Sequence, residues 1–258
     1  MRLTTLGGSA AGPNPGQGCS GSLVEIGSTR VVLDLGPGTL PELRRHADYR
    51  TVDAVVISHL HVDHVLDVLA LRYALAYNPI PPPHPVPLWM PPGGRGFLDR
   101  VALAFAGSDG ATLFFDEVFE VAEYDPERTL DLGGARLRFA PTVHPAPCWA
   151  IRVDGINGEA GVGYTADTGP AADLVPLLAG AAILLSEATS PPMPADHAAG
   201  RGHLTPSEAA TLAAAANVST LVLTHLWEEN GIERAVSEAA AVFSGRIEVA
   251  RPGLSFAW

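Results

Sequence analysis

The stretch of chain at positions 58–64 reads SHLHVDH, and its histidines and aspartate are all residue types that bind metal ions. Neutral imidazole nitrogens and carboxylate oxygens are ligands for zinc and other borderline divalent ions. His59 and His61 are two residues apart, so they point to the same side of an extended chain. Asp63 and His64 follow in the turn that leads into the next helix. The loop therefore predicts a metal centre with ligands for two adjacent ions.

Three further metal-binding residues stand directly after β-rich runs of the sequence. His144 follows residues 135–143, Asp167 follows residues 161–165, and His225 closes a run that begins at Leu221. Each of these residues, taken alone, could be a capping or turn residue. Because all three stand at predicted strand ends, convergence on one site explains them better as a set.

Strands precede helices in both halves of the chain, and no linker is apparent. We therefore expect an α/β fold in which residues 1–258 form one domain, with sheets at the centre and helices outside. The proline-rich segment 78–96 could be a lid or an oligomer arm, but an ordered connection is favoured. The apolar periodicity predicts strands at 22–26, 30–35, 53–58, 86–90, 182–185 and 220–224. The turn residues predict a hairpin at 129–142 with its turn at Gly133-Gly134. Helices are predicted from Thr39, at 65–77 and at about 206–216, the last of them after a capping box at 205–208.

The composition limits the classes of function. The chain is 47% hydrophobic and 17% charged, which indicates a folded protein, and its net charge of -12 disfavours a long nucleic acid as substrate. All basic residues are arginine, which excludes Schiff-base chemistry on lysine. Cys19 and Cys148 form no metal-binding or disulfide pattern. No signal peptide or membrane-spanning run is evident, so we expect a cytoplasmic protein with no membrane contact.

The chain resembles the metallo-β-lactamase-fold hydrolases. The resemblance is carried by the H-x-H-x-D-H loop at 59–64, by His144, by Asp167 within ADTG at 166–169 and by His225, and it extends along nearly the whole chain. It implies an αββα sandwich, in which two mixed β-sheets are flanked by helices. It also implies two divalent metal ions, with Zn²⁺ expected first and Mn²⁺ or Fe²⁺ as alternatives.

In this family the ligands divide between two metal positions. By resemblance, His59, His61 and His144 hold one ion, and Asp63, His64 and His225 hold the second, with Asp167 bridging. Two ions about 3.5–4 Å apart lower the pKa of a bridging water, so the resulting hydroxide can act as the nucleophile of a hydrolysis. The metal ligands implied are therefore His59, His61, Asp63, His64, His144, Asp167 and His225.

Two further stretches resemble the ribonuclease Z-like phosphodiesterase branch of the family. His203 lies in GHLTP at 202–206, and Glu187 lies in SEAT at 186–189. In that branch His203 would contact the phosphate and protonate the leaving alkoxide, while Glu187 would hold its tautomer. Asp63, His203 and Glu187 make up the catalytic set that we assign. Each member of the His203–Glu187 pair could instead be an ordinary surface residue.

The interval between His144 and Asp167 bears on the substrate. It is too short for the tRNA-grasping arm that ribonuclease Z enzymes usually carry there, so tRNA 3′-end cleavage is a secondary reading. Arm-less relatives include bacterial cyclic-nucleotide phosphodiesterases, which are similar at CSGS (19–22), LRRHAD (43–48) and LVLTH (221–225). We expect a small phosphodiester substrate, with a cAMP-type cyclic nucleotide as the best candidate. Lactone, thioester or β-lactam hydrolysis and a non-catalytic metal-binding scaffold remain alternatives.

A homodimer is a family-level expectation, with segment 78–96 as a candidate interface.

Overall fold

The computed structural model describes residues 1–192 and 200–258. The strands, in chain order, are β1 (Arg2–Gly7), β2 (Gly21–Ile26), β3 (Thr29–Leu35), β4 (Ala54–Val56), β5 (Val86–Met90), β6 (Phe119–Glu123), β7 (Leu130–Leu132), β8 (Ala135–Pro141), β9 (Trp149–Gly155), β10 (Val162–Tyr164), β11 (Ile183–Glu187), β12 (Thr220–Thr224), β13 (Arg246–Val249) and β14 (Ser255–Ala257). The α-helices are α1 (Thr39–His46), α2 (Val62–Val65), α3 (Asp67–Tyr77), α4 (Gly94–Gly110), α5 (Val175–Leu178), α6 (Pro206–Ala215) and α7 (Ile232–Ala240).

The described strands form two seven-stranded sheets. The first has the order β14-β1-β2-β3-β4-β5-β6, and the second has the order β13-β12-β11-β10-β9-β8-β7. Both sheets are mixed, because β3 to β6 and β10 to β13 run parallel to their neighbours while the remaining pairs are antiparallel. In each sheet the parallel strands lie on one side, so their carboxyl ends meet along one edge.

Three apolar layers hold the sheets and helices together. The middle layer joins the two sheets and includes Leu33, Val56, Ile151 and Val222. One outer layer packs α1, α3 and α4 on the first sheet, and the other packs α5, α6 and α7 on the second. The predicted αββα sandwich is thereby confirmed. The central strands are apolar on both faces, as expected for parallel strands covered on both sides.

Most of the predicted elements are confirmed, and one boundary is corrected. Gly133 adopts φ 55° in the turn between β7 and β8, and Thr205 and Glu208 form the predicted capping box of α6. The proline-rich segment 78–96 contains β5, which agrees with the prediction that this segment is an ordered connection. The helix predicted at 65–77 is α3, which begins at Asp67, and a separate short helix, α2, starts at Val62 and places Asp63 and His64 in its first turn. Among the described residues, no helix has the length and apolar character needed to cross a bilayer.

Candidate metal centre

All seven predicted ligands lie at the edge where the carboxyl ends of the parallel strands meet. His59 and the start of α2 follow β4 of the first sheet, whereas Asp167 and His225 follow β10 and β12 of the second sheet. The side chains fall into two groups, and within each group the potential ligand atoms lie within 4.8 Å of one another. These groups are His59, His61, His144 and Asp167, and Asp63, His64, Asp167 and His225.

Asp167 belongs to both groups, as a bridging ligand would. Its Oδ2 lies 3.7 Å from His59 Nε2 and 3.8 Å from His144 Nε2 in the first group. In the second group its Oδ1 lies 3.2 Å from His64 Nε2, and its Oδ2 lies 3.5 Å from His225 Nε2. Its pKa is held well below the ordinary value because the surrounding imidazoles outweigh the effect of burial, so the side chain is a carboxylate.

Unpartnered buried atoms test whether the site fits metal ions. His59 Nε2, His64 Nε2 and Asp167 Oδ1 are buried and have no hydrogen-bond partner among the described residues. Buried polar atoms are almost always hydrogen-bonded, so three such atoms facing one another call for a ligand. Imidazole nitrogens around a carboxylate make a donor set that suits a borderline divalent ion. These histidines and aspartates are therefore able to hold metal ions.

Hydrogen bonds from outside the donor set fix the ring orientation of His64. Its Nδ1 lies 2.7 Å from Asp34 Oδ2, which leaves Nε2 directed at the candidate metal position. Asp34 is fully buried and also accepts hydrogen bonds from the Ser58 amide, the Ser58 hydroxyl and the Tyr164 hydroxyl. A metal-binding histidine is oriented by what its other nitrogen contacts, and this network holds the His64 ring in such an orientation.

Two other histidines are oriented in the same way. His144 Nδ1 donates to the Gly202 carbonyl oxygen at 3.0 Å, and His225 Nδ1 contacts the hydroxyl of Thr189 at 2.5 Å. Both contacts leave Nε2 as the nitrogen that faces the cluster. Thr189 and Tyr164 were missed by the sequence analysis, since nothing in their local sequence indicates these partners.

Backbone strain is concentrated at the same edge. Asp34, Ala166 and His225 have φ values of 56°, 49° and 57°, in the left-handed region that non-glycine residues seldom occupy. Each stands at or immediately beside a residue of the cluster. Asn217 is the only other described non-glycine residue with a positive φ, and it lies directly after Ala216, the C-cap of α6. Such strain, at about 1–3 kcal/mol per residue, is typical of functional sites.

The predicted catalytic pair lies beside the second group of ligands. His203 Nδ1 is 3.0 Å from Oε1 of Glu187, which is fully buried as the last residue of β11. The ring of His203 stacks on that of His225 at a centroid distance of 5.5 Å, and it contacts His144 edge-on at 5.1 Å. Burial lowers the pKa of His203, but the hydrogen bond and charge of Glu187 outweigh it, so that pKa lies above its ordinary value.

The two cysteines take no part in the candidate donor set. Burial raises the pKa of both Cys19 and Cys148 to about 12, so each remains a neutral thiol. Both are free and buried. Buried neutral thiols of this kind behave as small apolar side chains.

Comparison with known proteins gives relatives that span nearly the whole chain. The probable metallo-hydrolase YhfI of Bacillus subtilis is 28% identical over 264 residues, which cover 100% of this chain and 99% of that protein. The crystal structure of the metallo-beta-lactamase fold protein YhfI matches with a TM-score of 0.81 at 26% identity, and 99% of each chain is covered.

Two further relatives are similar in extent. The protein ML1173 of Mycobacterium leprae is 33% identical over 260 residues, covering 99% of this chain and 88% of its own. A ribonuclease Z of Bradyrhizobium diazoefficiens is 31% identical over 290 residues, covering 93% of this chain and 94% of its own.

The sandwich of two mixed sheets, with a histidine and aspartate cluster at the shared strand edge, defines a metallo-hydrolase of the metallo-β-lactamase fold. A family model described as a beta-lactamase superfamily domain matches residues 29–226. The chain belongs to the beta-lactamase superfamily.

Proposed function

We propose that this protein is a two-metal hydrolase that cleaves a small phosphodiester, with a cAMP-type cyclic nucleotide as the best candidate. The observation that carries the proposal is the His203–Glu187 hydrogen bond at the edge of the metal-ligand cluster. Phosphodiester cleavage needs a proton for the departing alkoxide, whereas a metal cluster alone supplies none. When bound, two divalent ions would lower the pKa of a shared water and neutralise charge on the phosphate.

The proton transfer assigned to His203 follows from its contacts. Nδ1–H donates to the Glu187 carboxylate, which leaves Nε2 as the ring nitrogen that can give a proton to the substrate. A water molecule adds to phosphorus and gives up one proton to solvent, the bond from phosphorus to the ester oxygen breaks, and that oxygen leaves with the proton from His203, which then regains a proton from solvent. The raised pKa of His203 favours the protonated ring that this role requires. Asp63 serves the same site from α2, where its Oδ2 lies 2.9 Å from His225 Nε2.

Glu187 is placed to hold His203 rather than to bind solvent. Its Oε1 also accepts the Thr168 amide at 2.7 Å, and its Oε2 accepts the Thr189 amide at 3.2 Å. A carboxylate fixed by backbone amides on both oxygens presents a rigid acceptor. This geometry supports a structural hold on one tautomer of His203, as in other histidine–carboxylate pairs.

The chain between His144 and Asp167 supports a small substrate. It is occupied by β9 and β10, which pair with each other in an antiparallel hairpin, so no arm protrudes from the interval. Together with the net charge of -12, this favours a cyclic nucleotide over a long RNA. Cleavage of tRNA 3′ ends is the second candidate, because a relative of 31% identity is a ribonuclease Z. Hydrolysis of a lactone, thioester or β-lactam on the same metals is the third.

The direct test is hydrolysis of 3′,5′-cyclic AMP by protein loaded with Zn²⁺ or Mn²⁺, with a chelator-treated sample as the control. We expect turnover that chelation abolishes and that either metal restores. Metal-loaded protein that leaves cyclic AMP intact would remove this substrate. The same samples assayed on a 2′,3′-cyclic nucleotide, a pre-tRNA and a lactone would then identify the class that replaces it. A protein that binds two metals and hydrolyses nothing on that panel would be the scaffold alternative.

We also propose that residues 1–258 act as one hydrolase domain, because both sheets contribute to the cluster. A cytoplasmic location is supported by the free, buried thiols of Cys19 and Cys148, which carry no disulfide. Among the metals, Zn²⁺ is the first choice for this donor set, and Mn²⁺ or Fe²⁺ would be held by the same atoms.

A homodimer is supported by exposed apolar residues on α2 and α3, directly before the candidate interface segment 78–96. Val68, Leu71 and Leu75 pack into the core, yet the opposite side of the same helices is also apolar. Large apolar side chains that are exposed together on one surface often mark a protein–protein interface. The exposed residues on that side are Val62, Leu66, Tyr73 and Tyr77, of which Tyr77 is 71% exposed.

Charge on this surface should therefore disrupt self-association. We expect Tyr77→Glu to convert a dimer into a monomer, as measured by sedimentation velocity or light scattering. Val242→Glu is the matched control, because Val242 is also an exposed apolar residue but lies after α7. Wild-type protein that is monomeric at micromolar concentration would contradict the dimer, and a control variant that dissociates equally would contradict this interface.

A further inference from the structure

Thr189 makes more contacts to the site than its position after β11 would suggest. Its hydroxyl lies 2.5 Å from His225 Nδ1 and donates to the His225 carbonyl oxygen at 2.8 Å. A threonine hydroxyl has a single proton. Since that proton goes to the carbonyl, the contact with Nδ1 has the ring as donor and the hydroxyl oxygen as acceptor. The proton of His225 is thereby held on Nδ1, and Nε2 keeps its lone pair for the cluster.

The same hydroxyl also acts on the backbone of His225. This residue has φ 57°, a conformation that is costly for a bulky side chain. The hydrogen bond from Thr189 to the His225 carbonyl oxygen fixes the peptide in that conformation. As a result, the ring reaches across the sheet edge to within 2.9 Å of Asp63 Oδ2. One hydroxyl thus sets both the tautomer and the direction of the ring.

The backbone amide of Thr189 faces a different partner. It donates to Oε2 of Glu187 at 3.2 Å, while Oε1 of the same carboxylate receives His203 Nδ1. Thr189 itself is anchored by Asn230, whose side-chain amide donates to its carbonyl oxygen at 3.0 Å. A single residue therefore connects a candidate metal ligand to the pair that is assigned proton transfer.

We propose that Thr189 is a positioning residue that couples His225, as a ligand of the second metal ion, to the Glu187–His203 pair. Displacement of His225 would shift Thr189, and with it the amide that holds Glu187. This inference rests on the proposed function for the role of the pair, and on the donor cluster for the role of His225. It assigns no direct contact between Thr189 and substrate.

The test is a zinc titration against a competing chelator, with Thr189→Val as the main variant. Valine has nearly the same shape but lacks the hydroxyl, whereas the backbone amide remains. We expect one of the two zinc equivalents to bind about 10–100-fold more weakly, the cost usual for losing an outer-shell partner. Thr189→Ser keeps the hydroxyl and should restore the affinity to within about threefold, a margin well inside that usual cost. The d–d absorption spectrum of the Co²⁺-loaded variants reports whether His225 binds the metal ion, and it requires no turnover of substrate.

Thr211→Val is the matched control, because the exposed Thr211 hydroxyl donates to the Ser207 carbonyl oxygen within α6 and its loss should leave zinc binding unchanged. Wild-type zinc affinity in Thr189→Val would overturn the positioning role. If Thr189→Val does not fold, the zinc affinities of Thr189→Ala and Thr189→Ser are compared instead, because these two variants also differ in the hydroxyl.

A double-mutant cycle in zinc affinity tests the coupling. Thr189→Val and Glu187→Gln should be non-additive, whereas Thr211→Val and Glu187→Gln should be additive. Additivity in the first cycle would overturn the coupling to the catalytic pair. Because these readouts need no substrate, wild-type protein that binds zinc but hydrolyses no phosphodiester would remove the proposed function alone.

Discussion

His203→Ala is expected to slow phosphodiester cleavage by about 100- to 10,000-fold, the usual contribution of general acid–base catalysis. The loss should fall on kcat, since the alanine removes the proton donor and leaves the ligand cluster in place. Zinc content should remain at the wild-type level, because His203 is outside both groups of ligands that share Asp167. The measurement is steady-state hydrolysis of cyclic AMP together with metal analysis of the same sample.

Two comparisons make the result specific. His84→Ala replaces an exposed histidine in the proline-rich segment and should leave the rate unchanged. A thioester substrate, if hydrolysed at all, should be little affected by His203→Ala, because a thiolate is a weak base that departs without protonation. Equal loss on both substrate classes would place His203 in metal binding or in the fold rather than in proton donation.

Asp167→Asn is expected to weaken both metal positions at once. The change removes the negative charge that faces four histidines, and zinc affinity should fall by more than the roughly 10–100-fold seen for outer-shell changes. Activity should fall to the level of chelated wild-type protein. Zinc in hundredfold excess over its Kd adds about 2.7 kcal/mol to the free energy of unfolding of a protein that binds it only when folded. That increment should disappear in the variant, as measured by urea unfolding with and without zinc.

Asp131→Asn provides the control for this substitution. Asp131 is exposed and pairs with Arg136 at 2.7 Å on β7 and β8, away from the cluster. It should keep the wild-type zinc affinity and the wild-type increment in stability. If Asp167→Asn also kept both, Asp167 would not be a shared ligand, and the assignment of two adjacent metal positions would fail.

The sequence was most informative where chemistry and secondary structure coincide. The loop at 59–64 could be interpreted because its ligand types are consecutive and follow an apolar strand. His144, Asp167 and His225 could be added because each follows a recognisable strand. Their convergence depends on parallel strands ending at one edge, which is a general property of such sheets and needs no detailed coordinates.

The contacts around those residues could not be predicted from the sequence. Tyr164 meets Asp34 only because the two sheets stack, and the two residues are 130 positions apart. Thr189 meets His225 because β11 and β12 pair in a register that brings Glu187 opposite Thr224. Neither sheet stacking nor strand register can be derived from local periodicity. Helix α4 was missed for a local reason, since Gly94, Gly96 and Gly107 lower its helix propensity.

The cluster takes its side chains from both sheets, with four from the loop after β4 and three from the second sheet. Metal ions held there would cross-link two layers that otherwise adhere through their apolar faces and a few hydrogen bonds, such as that from Tyr164 to Asp34. Protein synthesised in a metal-poor cell would therefore lack this cross-link between the two sheets. It would unfold more often and be degraded faster by proteases. The amount of this protein in the cell, and not only its specific activity, should then follow the supply of metal.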